Sequence, residues 1–162
     1  MKALIPFLLV WASIFLSGCA PGQATQQKNQ SARPEDLLQA VNKIRSKGCN
    51  CGGRYMPPVK PLKWNNKLEA AAASHSAYMN SRKKLSHTGS GNSDPGRRIS
   101  KTGYKWSFYA ENIAMGQRTV AEVMHSWISS AGHCRNIMNK SATEMGAAKA
   151  GAYWTQVFAA PL

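Results

Sequence analysis

The apolar positions of this 162-residue chain change period along its length, and that change limits the folds open to it. From Pro34, the residues Leu37, Val41 and Ile44 recur at i, i+4 and i+7, which is one face of a helix. Pro34 suits the first helical position, Glu35 and Asp36 suit the positive end of the dipole, and Lys47-Gly48 stops the run. "CNCGGRYMPPVKP" is loop, punctuated by Gly and Pro. Asn66, with Glu69 three residues on, is expected to cap a second helix through "KLEAAAASHSAYMNSRKK", and its alanines predict close packing. "LSHTGSGNSDPGRR" is a long polar loop, from which Asp94-Pro95 starts a short helix ending near Gly103. Thr119 to Glu122 forms a capping box that opens a helix through Trp127, expected to end around Gly132. Then the period shortens. "TEMGAAKA" and "YWTQVFAA", split by Ala150-Gly151, read as a hairpin, with "ENIA" as a further strand. Helices first and a small antiparallel sheet last define an α+β chain.

The first residues serve targeting rather than fold. Lys2 precedes the mostly apolar run Ala3–Leu16, too short for a permanent membrane span. Leu16-Ser17-Gly18-Cys19 resembles a bacterial lipobox, in which the signal is cut before the Cys and the Cys is lipidated. Residues 1–18 are therefore read as a signal peptide, Cys19 as the lipidation site, 19–33 as a flexible tether and 34–160 as one domain. The expected location is the bacterial envelope, anchored by lipid. Ala20, where inner-membrane retention favours Asp, points to the outer membrane facing the periplasm.

The formal net charge of +14 favours polyanionic surroundings. For an exported, membrane-anchored monomer those are anionic lipid, lipopolysaccharide or peptidoglycan, not nucleic acid. Beyond Cys19, the cysteines are Cys49, Cys51 and Cys134, in an oxidising compartment. Cys49 and Cys51 are too close in sequence for a comfortable mutual bond, so one of them is expected to pair with Cys134. Three Cys without CxxC spacing make a weak zinc site. Only seven residues are acidic, and one of them, Glu111, has no Lys or Arg within five positions of its small, apolar stretch. A carboxylate there needs a partner.

The segments "PLKWNNKLEAAAASHSAYM", "LSHTGS", "DPGRRISKTGY", "AENIAMG", "SWISSAGHCRNIM", "TEMGAA" and "YWTQVF" occur in that order. Together they resemble the bacterial branch of the CAP superfamily, the cysteine-rich secretory, antigen 5 and pathogenesis-related 1 proteins (the SCP domain). The resemblance implies an α-β-α sandwich, with a small antiparallel sheet between helical layers and a cleft that in some members holds a divalent metal on two His and two Glu. His87 matches the first His and Glu111 the first Glu, while Ser130 and Tyr153 stand where the second Glu and second His would fall. With half the set replaced, no metal is expected, and a divalent ion is the sole cofactor the resemblance leaves open. His133 is the His of the bacterial "GH-x-x-NI" motif, and the "CG … GHC" arrangement resembles that of relatives with a Cys51–Cys134 disulfide, leaving Cys49 as the odd thiol.

His87, reached across the polar loop, is the expected partner of Glu111. His87, Glu111, His133 and Tyr153 are the ligand-binding candidates, and His87 with Glu111 the only catalytic ones. His75 reads as a packed helix residue, His125 as peripheral, and Asn136 and Ile137 as closing a helix end. Gly-x-Ser-x-Gly and His-Glu-x-x-His are absent from the sequence, and a disulfide would consume the Cys134 thiol. The expected function is thus a lipid-anchored, non-catalytic binder of an anionic or amphiphilic ligand. The alternative is an envelope hydrolase using His87 and Glu111, with or without a metal.

Overall fold

The computed structural model describes residues 34–162, so the signal segment, Cys19 and the tether lie outside the described residues. Helix α1 spans Pro34–Lys47, and the short hairpin of β1 (Cys49–Cys51) and β2 (Arg54–Met56) follows. Strand β3 (Lys63–Trp64) leads into α2 (Asn66–Arg82). The polar loop contains one 3-10 turn, Ser90–Asn92, and ends in α3 (Pro95–Lys101), after which β4 runs from Trp106 to Met115. Helices α4 (Val120–Ser129) and α5 (Ala131–Ile137) precede the closing hairpin of β5 (Glu144–Ala150) and β6 (Tyr153–Pro161). The main sheet has the order β3-β5-β6-β4. Its long strands pair antiparallel, and the two-residue β3 joins β5 in parallel.

Register divides β4 and β6 between two layers. Glu111 lies opposite Val157 and Ile113 opposite Thr155, so these share one face, while Asn112 with Gln156 and Ala114 with Trp154 share the other. The first face is covered by α2 and α3, through Leu68, Ala71, Ala72 and Ile99 against Val157 and Ala159. The second carries the larger core, with Leu37 and Val41 of α1 and Val123 and Trp127 of α4 against Trp154 and Phe158. Trp127 and Trp154 meet edge to face at 6.5 Å. Covered on both sides, β6 is buried from Tyr153 through Ala159. This is the expected sandwich.

The alanines of α2 act as the sequence implies. A Cβ on Gly146 of β5 would stand 2.1 Å from the Glu69 backbone nitrogen, so helix and strand touch main chain to main chain. Two helix ends differ from expectation. The cap of α2 is Asn65, whose side chain accepts from Lys67 N and Leu68 N, and Glu69 instead accepts from Trp64 Nε1 at 2.9 Å. The helix from Thr119 does not run to Gly132. Ser130 adopts extended backbone (φ −92°, ψ 119°), ending α4 and starting α5 in a new direction, which lets Cys134 meet Cys51.

Arg45 ties the end of α5 into this frame. Its fully buried guanidinium donates to the carbonyls of Lys60 (2.8 Å), Ile137 (2.7 Å), Asn139 (3.0 Å) and Ala142 (3.3 Å). The carbonyls include that of the last α5 residue, which lacks a helical partner. Burial lowers the Arg45 pKa to about 10, which still leaves it cationic at neutral pH.

Candidate functional site

Glu111 projects from β4 toward the α2 and α3 layer, with only 2 % of its side chain exposed. His87 reaches it from the polar loop, with Nδ1 2.8 Å from Oε1. The partner the sequence reading missed is Arg98 of α3, whose Nη2 donates to Glu111 Oε2 at 2.6 Å. The other guanidinium nitrogen, Nη1, donates to the carbonyls of Ser93 (2.7 Å) and His87 (3.1 Å). One buried cation thus fixes the loop and neutralises the strand's carboxylate. The signal was available in "DPGRR": Asp94 caps α3 by accepting from Arg97 N at 2.7 Å. The capped helix sets two arginines shortly before the strand that needs a cation. Gly89 belongs to the same clamp, since a Cβ there would stand 2.9 Å from Arg98 Nη1.

His75, read as a packed helix residue, is buried in α2 and also faces the site, with Nε2 3.8 Å from Glu111 Oε1. Its Nε2 lies 2.8 Å from the Ser86 carbonyl, so Nε2 carries the proton and Nδ1, which has no protein partner, is a bare acceptor. Burial lowers the pKa of this imidazole, against the opposing pull of Glu111.

The neighbours of Glu111 explain the rest of "ENIA". Asn112, on the opposite face, donates to His133 O at 3.2 Å and to Gln156 Oε1 at 3.1 Å. The Asn136 side chain donates to Glu111 O and Asn112 Oδ1 and so fastens α5 to β4, while its carbonyl accepts from Asn139 N at 3.2 Å where the helix ends, as expected. His133 is half-buried and its Nδ1 has no partner in the protein. Burial lowers its pKa, and the charge of His87 adds to that.

Tyr153 is not brought to this cluster. It lies opposite Met115, well along β6 from the Glu111–Val157 pair, and packs in a core with Met79 and Ile113. Ser130 sits at the α4–α5 junction. The donors do not fit a divalent ion: Arg98 occupies one Glu111 oxygen and His87 the other, and a guanidinium at 2.6 Å repels a second cation. Cys49, Cys51 and Cys134 have sulfurs within 4.8 Å of one another. Cys51 and Cys134 are joined as a disulfide, which leaves one thiol and no ligand set. His125 is exposed, as expected.

A pocket of about 740 Å³ opens between α2, α3 and the start of β4. His75 and Arg98 line it, so the groups that hold Glu111 also wall the pocket, while His87, His133 and Tyr153 do not. Its aromatic side is Trp106 and Tyr109, packed edge to face at 4.5 Å. Gly96 allows them to approach α3, since a Cβ there would stand 2.8 Å from the Tyr109 ring. Arg97 and Lys101 stand exposed at the rim, beside Asp94.

Residues 38–158 match the sequence model of the cysteine-rich secretory protein family, CAP. The chain is 32 % identical over 141 residues to the uncharacterised protein YkwD of Bacillus subtilis, a match covering 86 % of this chain and 54 % of that protein. It therefore spans about half the length of that relative. An extracellular protein of Bacillus anthracis containing an SCP domain superposes with a TM-score of 0.69 at 23 % identity, over 78 % of this chain and 39 % of that one. An outer surface protein of Borrelia burgdorferi gives 0.68 at 17 % identity, over 79 % and 92 %. At these identities the two structures speak for the fold alone. Among the described residues, no helix is long and apolar enough to cross a membrane.

Proposed function

The chain belongs to the cysteine-rich secretory protein (CAP) family, and we propose that it is a lipid-anchored, non-catalytic binder of an anionic glycan or lipid in the bacterial envelope. The observation that carries this reading is the pocket sharing His75 and Arg98 with the Glu111 clamp. Trp106 and Tyr109 offer faces for a sugar ring or acyl chain, and Arg97 and Lys101 offer cations for a carboxylate or phosphate. Nδ1 of His75 adds a buried acceptor in the wall. The net charge of +14 suits an anionic surface around the bound ligand. Both Glu111 oxygens are taken, one by Arg98 and one by His87, and among the described residues no hydroxyl or thiol bonds to the His87 ring.

Titrating the tag-free domain with soluble peptidoglycan fragments and with anionic vesicles separates glycan from lipid. Mass spectrometry of co-purified material gives an independent identification. Trp106→Ala and the pair Arg97→Glu, Lys101→Glu should each weaken binding at least tenfold, and unchanged binding in both rejects the pocket. Anchoring rests on Leu16 to Cys19. Cys19→Ser should abolish fatty-acid labelling, and retained labelling rejects the anchor.

One observation favours a second reading, hydrolysis. His87 is 54 % exposed and held at Nδ1 by Glu111, the geometry of an oriented general base. Under that reading His87→Ala abolishes turnover of wall glycan, while the rim charge reversals leave the chemical step intact.

A further inference from the structure

Cys49 is the free cysteine among the described residues, and its sulfur lies 3.6 Å from that of Cys134, already bonded to Cys51. Strand periodicity puts Cys49 and Cys51 on one face of β1. The β1–β2 hairpin fixes that face, because Gly52 and Gly53 both take positive φ (65° and 87°) in a tight turn that pairs Cys51 with Arg54 and Cys49 with Met56. Both sulfurs are thereby presented to the same sulfur on α5. Cys51 and Cys134 are fully buried, whereas Cys49 is partly exposed.

We propose that Cys49 and Cys51 exchange as disulfide partners of Cys134, making this cluster a thiol–disulfide exchange site. The Cys49 thiolate attacks Sγ of Cys134. The Cys49–Cys134 bond forms, the Cys51–Cys134 bond breaks, and Cys51 leaves as the thiolate and takes up the proton that Cys49 released. One disulfide and one thiol stand on each side, so no oxidant or reductant is consumed. Displacement at sulfur runs in line, so the Cys49 sulfur has to leave the present triangle of sulfurs before it attacks.

The two bonds span 83 and 85 residues. Loop closure depends only logarithmically on length, so this contribution is the same for both isomers. The balance between the two isomers is left to local geometry, with no loop-closure difference opposing either one. Its consequence is exposure. One isomer presents the Cys49 thiol toward solvent, and the other withdraws the free thiol to the buried Cys51 position.

The test is native incubation of the wild-type chain at pH 6 and pH 8.5, acid quenching, alkylation and non-reducing peptide mapping. Both Cys51–Cys134 and Cys49–Cys134 peptides are expected, since loop closure favours neither. The second should form faster at the higher pH, where more thiolate is present. Cys51→Ser should close a Cys49–Cys134 bond without added isomerase. Cys51–Cys134 as the sole disulfide peptide in the wild type at both pH values overturns the proposal, whatever the variant does.

Discussion

Arg98 Nη2 lies 2.6 Å from Glu111 Oε2, with 8 % and 2 % of the two side chains exposed. This contact is why a strand with no cation nearby in sequence tolerates a carboxylate. Removing one member of a buried ion pair strands the other, at a cost of about 3–5 kcal/mol. His87 is the more exposed partner, and losing an exposed partner costs about 1 kcal/mol or less. Arg98, not His87, is therefore the main anchor of Glu111.

Gly146→Ala should be among the most damaging single-methyl additions. The new Cβ would stand 2.1 Å from Glu69 N and 2.5 Å from Leu68 C, both backbone atoms that a side-chain rotation cannot move. Helix α2 would have to lift off β5. A loss of about 3 kcal/mol or more is expected from overpacking, read as a lower urea midpoint.

Arg45→Lys should not rescue what Arg45→Met loses. Four carbonyls from Lys60 to Ala142 converge on a planar fork, and an ammonium cannot span them. Both variants should lose about 3 kcal/mol or more, because bonds to a charged donor are each worth about 1.5–3 kcal/mol. Equilibrium denaturation of the two, side by side, checks this.

Stability should fall as the solution is acidified below about pH 6.5, the ordinary histidine value. Burial lowers the pKa of both His75 and His133 in the fold. Between the unfolded and folded values the unfolded chain binds more protons, so their contribution is complete above the unfolded pKa and is lost on acidification. Melting curves from pH 7.5 to pH 5 should show the decline, and His75→Gln should make it shallower.

Local rules placed much of this fold. The period of Leu37, Val41 and Ile44 gives α1, Asp94-Pro95 gives α3, and Ala150-Gly151 gives the last hairpin. The resemblance supplied His87 with Glu111 and Cys51 with Cys134, and the structure sets both pairs in contact. "DPGRR" supplied two candidate cations, but which of them reaches Glu111 was illegible, and Arg98 is the one for a physical reason. Its role depends on how α3 packs over β4, a tertiary fact that spacing along a short helix does not encode. Tyr153 shows the converse. An aligned position put it among ligand candidates, but its place in β6 sets it beside Met79 and Ile113. The break at Ser130 was missed because nothing in "SWISSAGH" forbids a continuous helix, and what ends it is the pull of Cys134 and Asn136 toward β1 and β4.

The central claim is that Glu111 is a structural anchor walled in with the pocket, not a free base. Its most direct test is a double-mutant cycle of Arg98→Met and Glu111→Gln in denaturant, with His87→Ala alongside. The account predicts large losses for each of the first two, a double variant at least about 2 kcal/mol better than their sum, and a small loss for His87→Ala. Additive losses for Arg98→Met and Glu111→Gln, or a His87→Ala loss as large as that of Arg98→Met, would contradict it.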